Sequence, residues 1–272
     1  MFNGVRARAS LLTAGRMLSS LPSLPAAGSA AARVSPPPGS FGGAAGRARA
    51  LAALRNARAV CFDVDSTVIT VEAIDELAAF AGARASVAAL TAAAMGGGMD
   101  FRSALSARLG LIRPSAALLA SFLAAHAFEW TPGVRELVAA LRRRGADVFL
   151  VSGGFTQMIH PLADALGLPR AHVHANTLLF GPAGEYAGFD EAAPTSRDGG
   201  KPEVLRRLRA QLGPGPLVMV GDGATDMQAR PPADAFVGYG GVVVRPAVRD
   251  GACLFTTDFD DLRRLIEDDK AV

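Results

Sequence analysis

The sequence predicts an α/β fold, a Rossmann-like parallel sheet carrying a helical cap domain and a small β-hairpin insert. Three observations predict it. From about Leu51 onward, short apolar runs alternate with helical patterns. The runs are apolar throughout rather than alternating, which suits strands covered on both faces. In three cases a polar, chemically capable residue follows the run directly, and the carboxyl ends of strands are where open α/β sheets bind ligands.

The elements follow in order. The first expected strand is Ala59-Val60-Cys61-Phe62, running into Asp63. The second is Asp147-Val148-Phe149-Leu150-Val151, ending at Ser152. The third is Leu217-Val218-Met219-Val220, ending at Gly221-Asp222, and two more fall at 235–238 and 253–255. Between the first two strands, helical patterns cover 72–83, 84–94, 101–109 and 114–125, broken by Gly96-Gly97-Gly98. That stretch is too long for a simple crossover, so it reads as a cap over the sheet edge. A further helix over 133–144 has Pro132 before it and Gly145 after it. Another covers 202–212. Residues 172–191 read as a β-hairpin with strands at 173–180 and 185–189, joined by Gly181-Pro182-Ala183-Gly184. The expected organisation is a leader over 1–50, a core over 51–70 and 131–272, and a cap over 71–130.

Composition narrows the function classes. The 272 residues are half apolar, enough for a sizeable core. Residues 1–58 carry eight arginines and no acid, while the rest carries 20 basic residues against 25 acids. The slight positive net charge therefore belongs to the leader and does not argue for a nucleic-acid-binding body. An acid-free leader rich in Ala, Arg, Ser, Gly and Pro has the composition of an organelle transit peptide. The expected destination is an organelle, the chloroplast ahead of the mitochondrion, or the cytosol if the leader is a mere extension. No run of 18 strongly apolar residues free of charge, turn residues and Pro occurs, so no membrane partner is expected. Cys61 and Cys253 lie in apolar runs and read as buried free thiols, and the four histidines are too scattered for a zinc site.

The chemistry is carried by four short segments. Asp63 and Asp65, two apart after a buried strand, repel unless a cation is present. Magnesium suits such oxygen ligands and commonly also holds a substrate phosphate. One carboxylate can then attack phosphorus while the other moves protons. Alone, this pattern is more often an Asx-turn. Asp222 and Asp226 in Gly221-Asp222-Gly223-Ala224-Thr225-Asp226 supply further acids after another strand. Ser152-Gly153-Gly154 offers a hydroxyl and backbone N–H groups that can cradle a phosphoryl group. Lys201, after Gly199-Gly200 at a helix start, can neutralise phosphate.

These segments, in this order, resemble the haloacid-dehalogenase-like (HAD) phosphatases. Within them, the stretches 63–77, 94–111, 131–141, 148–155, 176–200 and 220–241 resemble phosphoserine phosphatases of the eukaryotic type. The resemblance covers about residues 58–267 and leaves out the leader. It implies a HAD core with a helical cap, Mg2+, hydrolysis of O-phospho-L-serine in serine biosynthesis, and often a homodimer. By motif, Asp63 is the implied nucleophile and Asp65 the implied general acid/base. The implied metal ligands are the Asp63 carboxylate, the Asp65 backbone carbonyl and Asp222, with Asp226 behind them. Ser152, Gly153, Gly154, Lys201 and Thr225 would surround the phosphoryl group. Glu72 would meet the substrate ammonium, Arg108 its carboxylate, and Met95 and Gly96 would belong to the loop that closes over it. Without the family, Arg102 and Arg113 are equal candidates to Arg108. Two other readings stay open on the residues: a phosphomonoesterase or phosphotransferase for another small substrate, and a phospho-accepting receiver-type domain.

Overall fold

The computed structural model describes residues 44–93 and 99–268. The expected leader up to residue 43, and the expected cap-loop residues Met95 and Gly96, lie outside the described residues.

In chain order the helices and strands are α1 (Ala44–Arg55), β1 (Ala59–Phe62), α2 (Ala73–Phe80), α3 (Arg84–Ala93), α4 (Phe101–Ile112), α5 (Ala116–Ala125) and α6 (Val134–Arg143). There follow β2 (Asp147–Phe155), α7 (Thr156–Ala165), β3 (Val173–Asn176), β4 (Leu178–Phe180), β5 (Tyr186–Phe189) and α8 (Gly200–Leu212). The chain continues with β6 (Leu217–Gly221), α9 (Ala224–Met227), β7 (Ala235–Tyr239), α10 (Pro246–Gly251), β8 (Leu254–Thr256) and α11 (Phe259–Glu267). Among the described residues no single helix is long and apolar enough to cross a membrane.

Six strands form one parallel sheet in the order β3-β2-β1-β6-β7-β8. Every residue of β1, β6 and β7 is buried, as the unbroken apolar runs require of strands covered on both faces. Registers Phe62↔Leu150 and Phe62↔Val220 put the end of β1 level with Leu150 of β2 and Val220 of β6. Asp63 therefore emerges beside Ser152 and Asp222, with its N–H donated to the Val220 carbonyl at 2.9 Å. On the sheet, Phe259 of α11 is fully buried, stacked on Tyr239 at 4.0 Å and edge-on to Phe62 at 6.3 Å. Helices α6 and α11 present strongly amphipathic faces whose apolar sides (Leu137, Leu141, Leu262, Ile266) are buried.

Helices α2 to α5 form the long insert between β1 and β2. It joins the sheet through a short two-stranded crossing. Ile69 and Trp130 form an antiparallel bridge, Thr70 N–H donates to Glu129 at 3.1 Å, and Thr131 N–H donates to Val68 at 3.0 Å. Leu77, Leu105, Leu109 and Phe122 of the insert are buried and belong to the same apolar core as the sheet. Side chains cap two of its helices: Asp100 accepts from Ser103 N–H at 2.9 Å and Ser115 from Leu118 N–H at 3.1 Å.

Three expectations change. Helix α1 starts inside the expected leader, and Ala50 and Leu54 are buried in the main core, so the packed body begins before Leu51. The expected first hairpin strand, 173–180, breaks in two. Val173–Asn176 joins the main sheet beside β2, and only Leu178–Phe180 pairs with β5. Asn176 marks the break: its side chain is buried and donates to the Gly153 carbonyl at 2.7 Å. Finally, β2 does not end at Ser152 but runs on through Phe155, with an irregular register between Val151 and Phe155.

Candidate active site

The ends of β1, β2 and β6 and the start of α8 converge on a cleft of about 200 Å³. Its floor is acidic. Lys201 Nζ sits between two carboxylates, 2.7 Å from Asp63 Oδ1 and 2.6 Å from Asp226 Oδ1, and all three side chains are nearly or fully buried. Burial alone would drive the lysine toward its neutral form. Asp226 and Asp63 more than offset it and hold the amine charged, well above the ordinary lysine range. Gly199 makes this approach feasible, with a left-handed φ of 72° that starts α8 and delivers Lys201 in its first turn. Pro202, which could have displaced the lysine, fits that first turn, where its missing N–H has no helical partner to lose.

The other acids are held in distinct ways. Asp65 has other partners than Lys201. Its carboxylate accepts from Ala73 N–H at 2.8 Å and from the Ser152 hydroxyl at 3.3 Å. Burial first, then the charges of Glu72 and Asp63, push the Asp65 carboxyl up to about 7. Glu72 accepts from the Ser66 hydroxyl at 2.9 Å, and burial raises its carboxyl as well. Ser66 has a left-handed φ of 53°, an uncommon conformation for a residue other than glycine, at the turn between the two acids and the insert. Asp222 accepts from Thr67 at 3.2 Å and from Arg245 Nε at 3.0 Å, and burial followed by the Asp63 charge raises its carboxyl. Asp226 also accepts from Gly223 N–H at 2.9 Å.

Carboxylate oxygens of Asp63, Asp222 and Asp226 all lie within 4.8 Å of one another. Hard oxygen donors at that spacing fit a divalent cation. The expected set was the Asp63 carboxylate, the Asp65 backbone carbonyl and Asp222, with Asp226 behind. Among side chains the structure groups Asp226 with Asp63 and Asp222, and Asp226 also holds Lys201.

Next to the acids, the Ser152 hydroxyl accepts from Gly154 N–H at 2.8 Å. A Cβ on Gly153 would meet the Phe101 ring at 2.7 Å, and one on Gly154 would meet Ser152 Oγ at 3.1 Å and Asp65 Oδ2 at 3.2 Å. A Cβ would therefore be crowded at both positions, more tightly at Gly153. The glycines lie inside the extended end of β2 rather than in a strand-to-helix turn. Glu72, Arg108, Gly153, Gly154, Thr225 and Lys201 all line the same cleft, joined by Phe101 and Leu105 from α4 and by Arg197 and Arg245 from the core. Sequence reasoning missed Arg245, Thr67 and Asn176. Thr67 and Asn176 lie in the stretches of resemblance 63–77 and 176–200, whereas Arg245 follows β7 in no recognisable motif.

A parallel sheet whose carboxyl edge gathers Asp63, Asp65, Asp222 and Asp226 around a buried lysine, beside a serine–glycine strand end, defines a class: α/β hydrolases that act on phosphoryl groups. Residues 57–234 match the haloacid dehalogenase-like hydrolases. The chain is 50% identical over 213 residues to a phosphoserine phosphatase of Mus musculus, covering 78% of this chain and 95% of that one. It is 49% identical over 210 residues to a chloroplastic phosphoserine phosphatase of Arabidopsis thaliana, covering 76% of this chain and 71% of that one. A solved phospho-aspartyl intermediate analogue of phosphoserine phosphatase superposes with a TM-score of 0.65 at 26% identity, over 75% of this chain and 96% of that one. The chain belongs to the haloacid dehalogenase-like hydrolases and, within them, to the phosphoserine phosphatase family.

The acidic floor generates a binding prediction. A divalent cation that binds only the folded chain should raise its thermal midpoint in a dose-dependent way. Asp222→Asn, measured by calorimetry across a magnesium titration, should lose most of that rise. An equal rise in the variant would exclude Asp222 from the cation site.

Proposed function

We propose that this chain hydrolyses O-phospho-L-serine to L-serine and phosphate with magnesium, as the last step of the phosphorylated route to serine. The observation that carries the reading is the contact of Lys201 with Asp63, in a cleft that also holds Glu72 and Arg108.

The chemistry follows from the groups present. A carboxylate oxygen of Asp63 attacks phosphorus, the P–O bond to the serine oxygen breaks, and an aspartyl-phosphate forms. Asp65 donates a proton to the departing serine oxygen. In the second step Asp65 takes a proton from water, whose oxygen attacks the phosphorus and releases Asp63. Lys201, the Ser152 hydroxyl and the backbone N–H of Gly153 hold the phosphoryl oxygens, with Gly154 and Thr225 beside them. Magnesium would be held by the carboxylates of Asp63 and Asp222 and the backbone carbonyl of Asp65, with Asp226 supporting them. When bound it supplies positive charge for the phosphoryl oxygens and relieves the repulsion among the acids.

Specificity is assigned to the insert. Arg108 would meet the substrate carboxylate with its planar fork, and Glu72 would meet the ammonium. The insert, with Met95 and Gly96 in its loop, acts as a cap that opens for substrate and closes against water. We also place the protein in the chloroplast. The acid-free leader and the chloroplastic relative support this. Residues 1–58 fused to a fluorescent protein should enter plastids, and a cytosolic signal would contradict it.

A panel of small phosphate esters tests the substrate. Phosphate release should be greatest from phosphoserine and should vanish on chelation of magnesium. Arg108→Ala should reduce kcat/KM for phosphoserine by about 10²-fold or more, the scale set by losing a charged hydrogen-bond pair. Turnover of p-nitrophenyl phosphate, which carries no carboxylate, should fall far less. Equal losses on both would favour a phosphatase for another substrate.

A further inference from the structure

Arg102 shares helix α4 with Arg108 but does not line the cleft. Its guanidinium leaves the insert and reaches the segment that leads into Lys201. Nη2 donates to the Glu191 carbonyl at 2.8 Å and to the Ser196 hydroxyl oxygen at 3.1 Å. The Glu191 carboxylate, at 3.5 Å and largely exposed, adds little. The Arg102 Nε is buried with no partner. Burying a donor unpaired is costly, so the other contacts must hold the side chain in place.

Both ends of this bridge are stiff. At one end, Asp100 caps α4, the Phe101 N–H donates to Asp198 Oδ2 at 3.3 Å, and the Phe101 ring packs on Gly153. Arg108 is tied to the same helix, with its Nε donated to the Ala104 carbonyl at 3.4 Å. At the other end, Ser196 is fully buried and donates to the Ala193 carbonyl at 2.8 Å. Gly200 packs so closely that a Cβ there would lie 2.2 Å from the Pro194 carbonyl oxygen. The 194–200 segment is thus tightly packed up to Lys201. Along α4, Arg102 and Arg108 are about 9 Å apart at 1.5 Å per residue.

We propose that Arg102 is a positioning residue that sets the spacing between Arg108 and Lys201, and so selects substrates whose carboxylate and phosphate lie a fixed distance apart. The inference rests on the phosphoserine reading above and adds a residue that never touches the substrate. An arginine serves better than a lysine because one planar group meets two acceptors on a fixed line. Without the bridge, α4 and its arginine drift relative to the phosphoryl site. Binding of a two-anion substrate weakens, while a substrate held through phosphate alone is indifferent.

The test compares Arg102→Ala, Arg102→Lys and Ser196→Ala on phosphoserine and p-nitrophenyl phosphate at saturating magnesium. Arg102→Ala should raise KM for phosphoserine about tenfold, the loss expected for hydrogen bonds from a charged donor. Its kcat should change less than about threefold, and kcat/KM for p-nitrophenyl phosphate less than about twofold, because only the spacing of the two anion sites changes. Arg102→Lys should recover part of the loss, and Ser196→Ala should show a smaller shift of the same kind. If Arg102→Ala fails to fold, these two milder variants carry the comparison. Equal losses on both substrates, or an unchanged KM, would overturn the proposal. Amide hydrogen exchange without substrate gives an independent arm. In Arg102→Ala, amides of α4 and of 194–200 should exchange faster together, and unchanged exchange in both would also overturn it. A wild-type chain inactive on phosphoserine would strike the substrate reading instead, leaving exchange to judge the bridge.

Discussion

The buried contact of Lys201 with Asp63 and Asp226 is the constraint on which the rest of the site depends. Three charged side chains are withdrawn from water at one point, and each is tolerable only because the others are there. Removing the lysine would leave Asp63, Asp222 and Asp226 facing one another within 4.8 Å. The parallel sheet is what brings them together. Strands β1 and β6, paired in register, deliver Asp63 and Asp222 side by side, and α8 returns across the sheet edge to supply the counter-charge. The acids still outnumber the cations, and that imbalance suits the floor to a divalent ion.

How much of this was legible in the sequence depended on whether the signal was local. Strands β1, β6 and β7 were readable because fully buried parallel strands leave unbroken apolar runs. The acids were readable because they follow those runs at once. Residues 173–180 were not, because an extended apolar stretch looks the same whichever strand it pairs with, and pairing is decided by distant contacts. Only the buried Asn176, hydrogen-bonded to Gly153, shows that the chain leaves the sheet there. Helix α1 was hidden by composition. Its buried residues Ala50 and Leu54 are too few to stand out from an alanine- and arginine-rich leader. Arg102 and Arg108 were indistinguishable as charges. They differ in which face of one helix they occupy, so that Arg108 opens onto the cleft and Arg102 onto the 191–196 segment.

The insert and the core divide the work. The core supplies Asp63, Ser152, Gly153 and Lys201, the groups proposed to touch the phosphoryl group, on strand ends and a helix start. The insert holds Arg108 on a helix joined to the core by a narrow crossing at Ile69 and Trp130. A group held on such a connection needs a second attachment to be placed accurately, and the Phe101, Arg102 and Asp198 contacts supply it. Phosphoryl chemistry and substrate choice are thereby separable properties of one cleft.

The central claim is that Asp63 accepts the phosphoryl group. Its most direct test is a rapid acid quench of the protein mixed with magnesium and phosphoserine labelled in its phosphate, followed by peptide mapping of the trapped label. The account predicts a transient acid-stable, alkali-labile phosphate on Asp63, appearing before free phosphate accumulates. Label on any other residue, or direct release of phosphate to water with no labelled protein at any time, would contradict it.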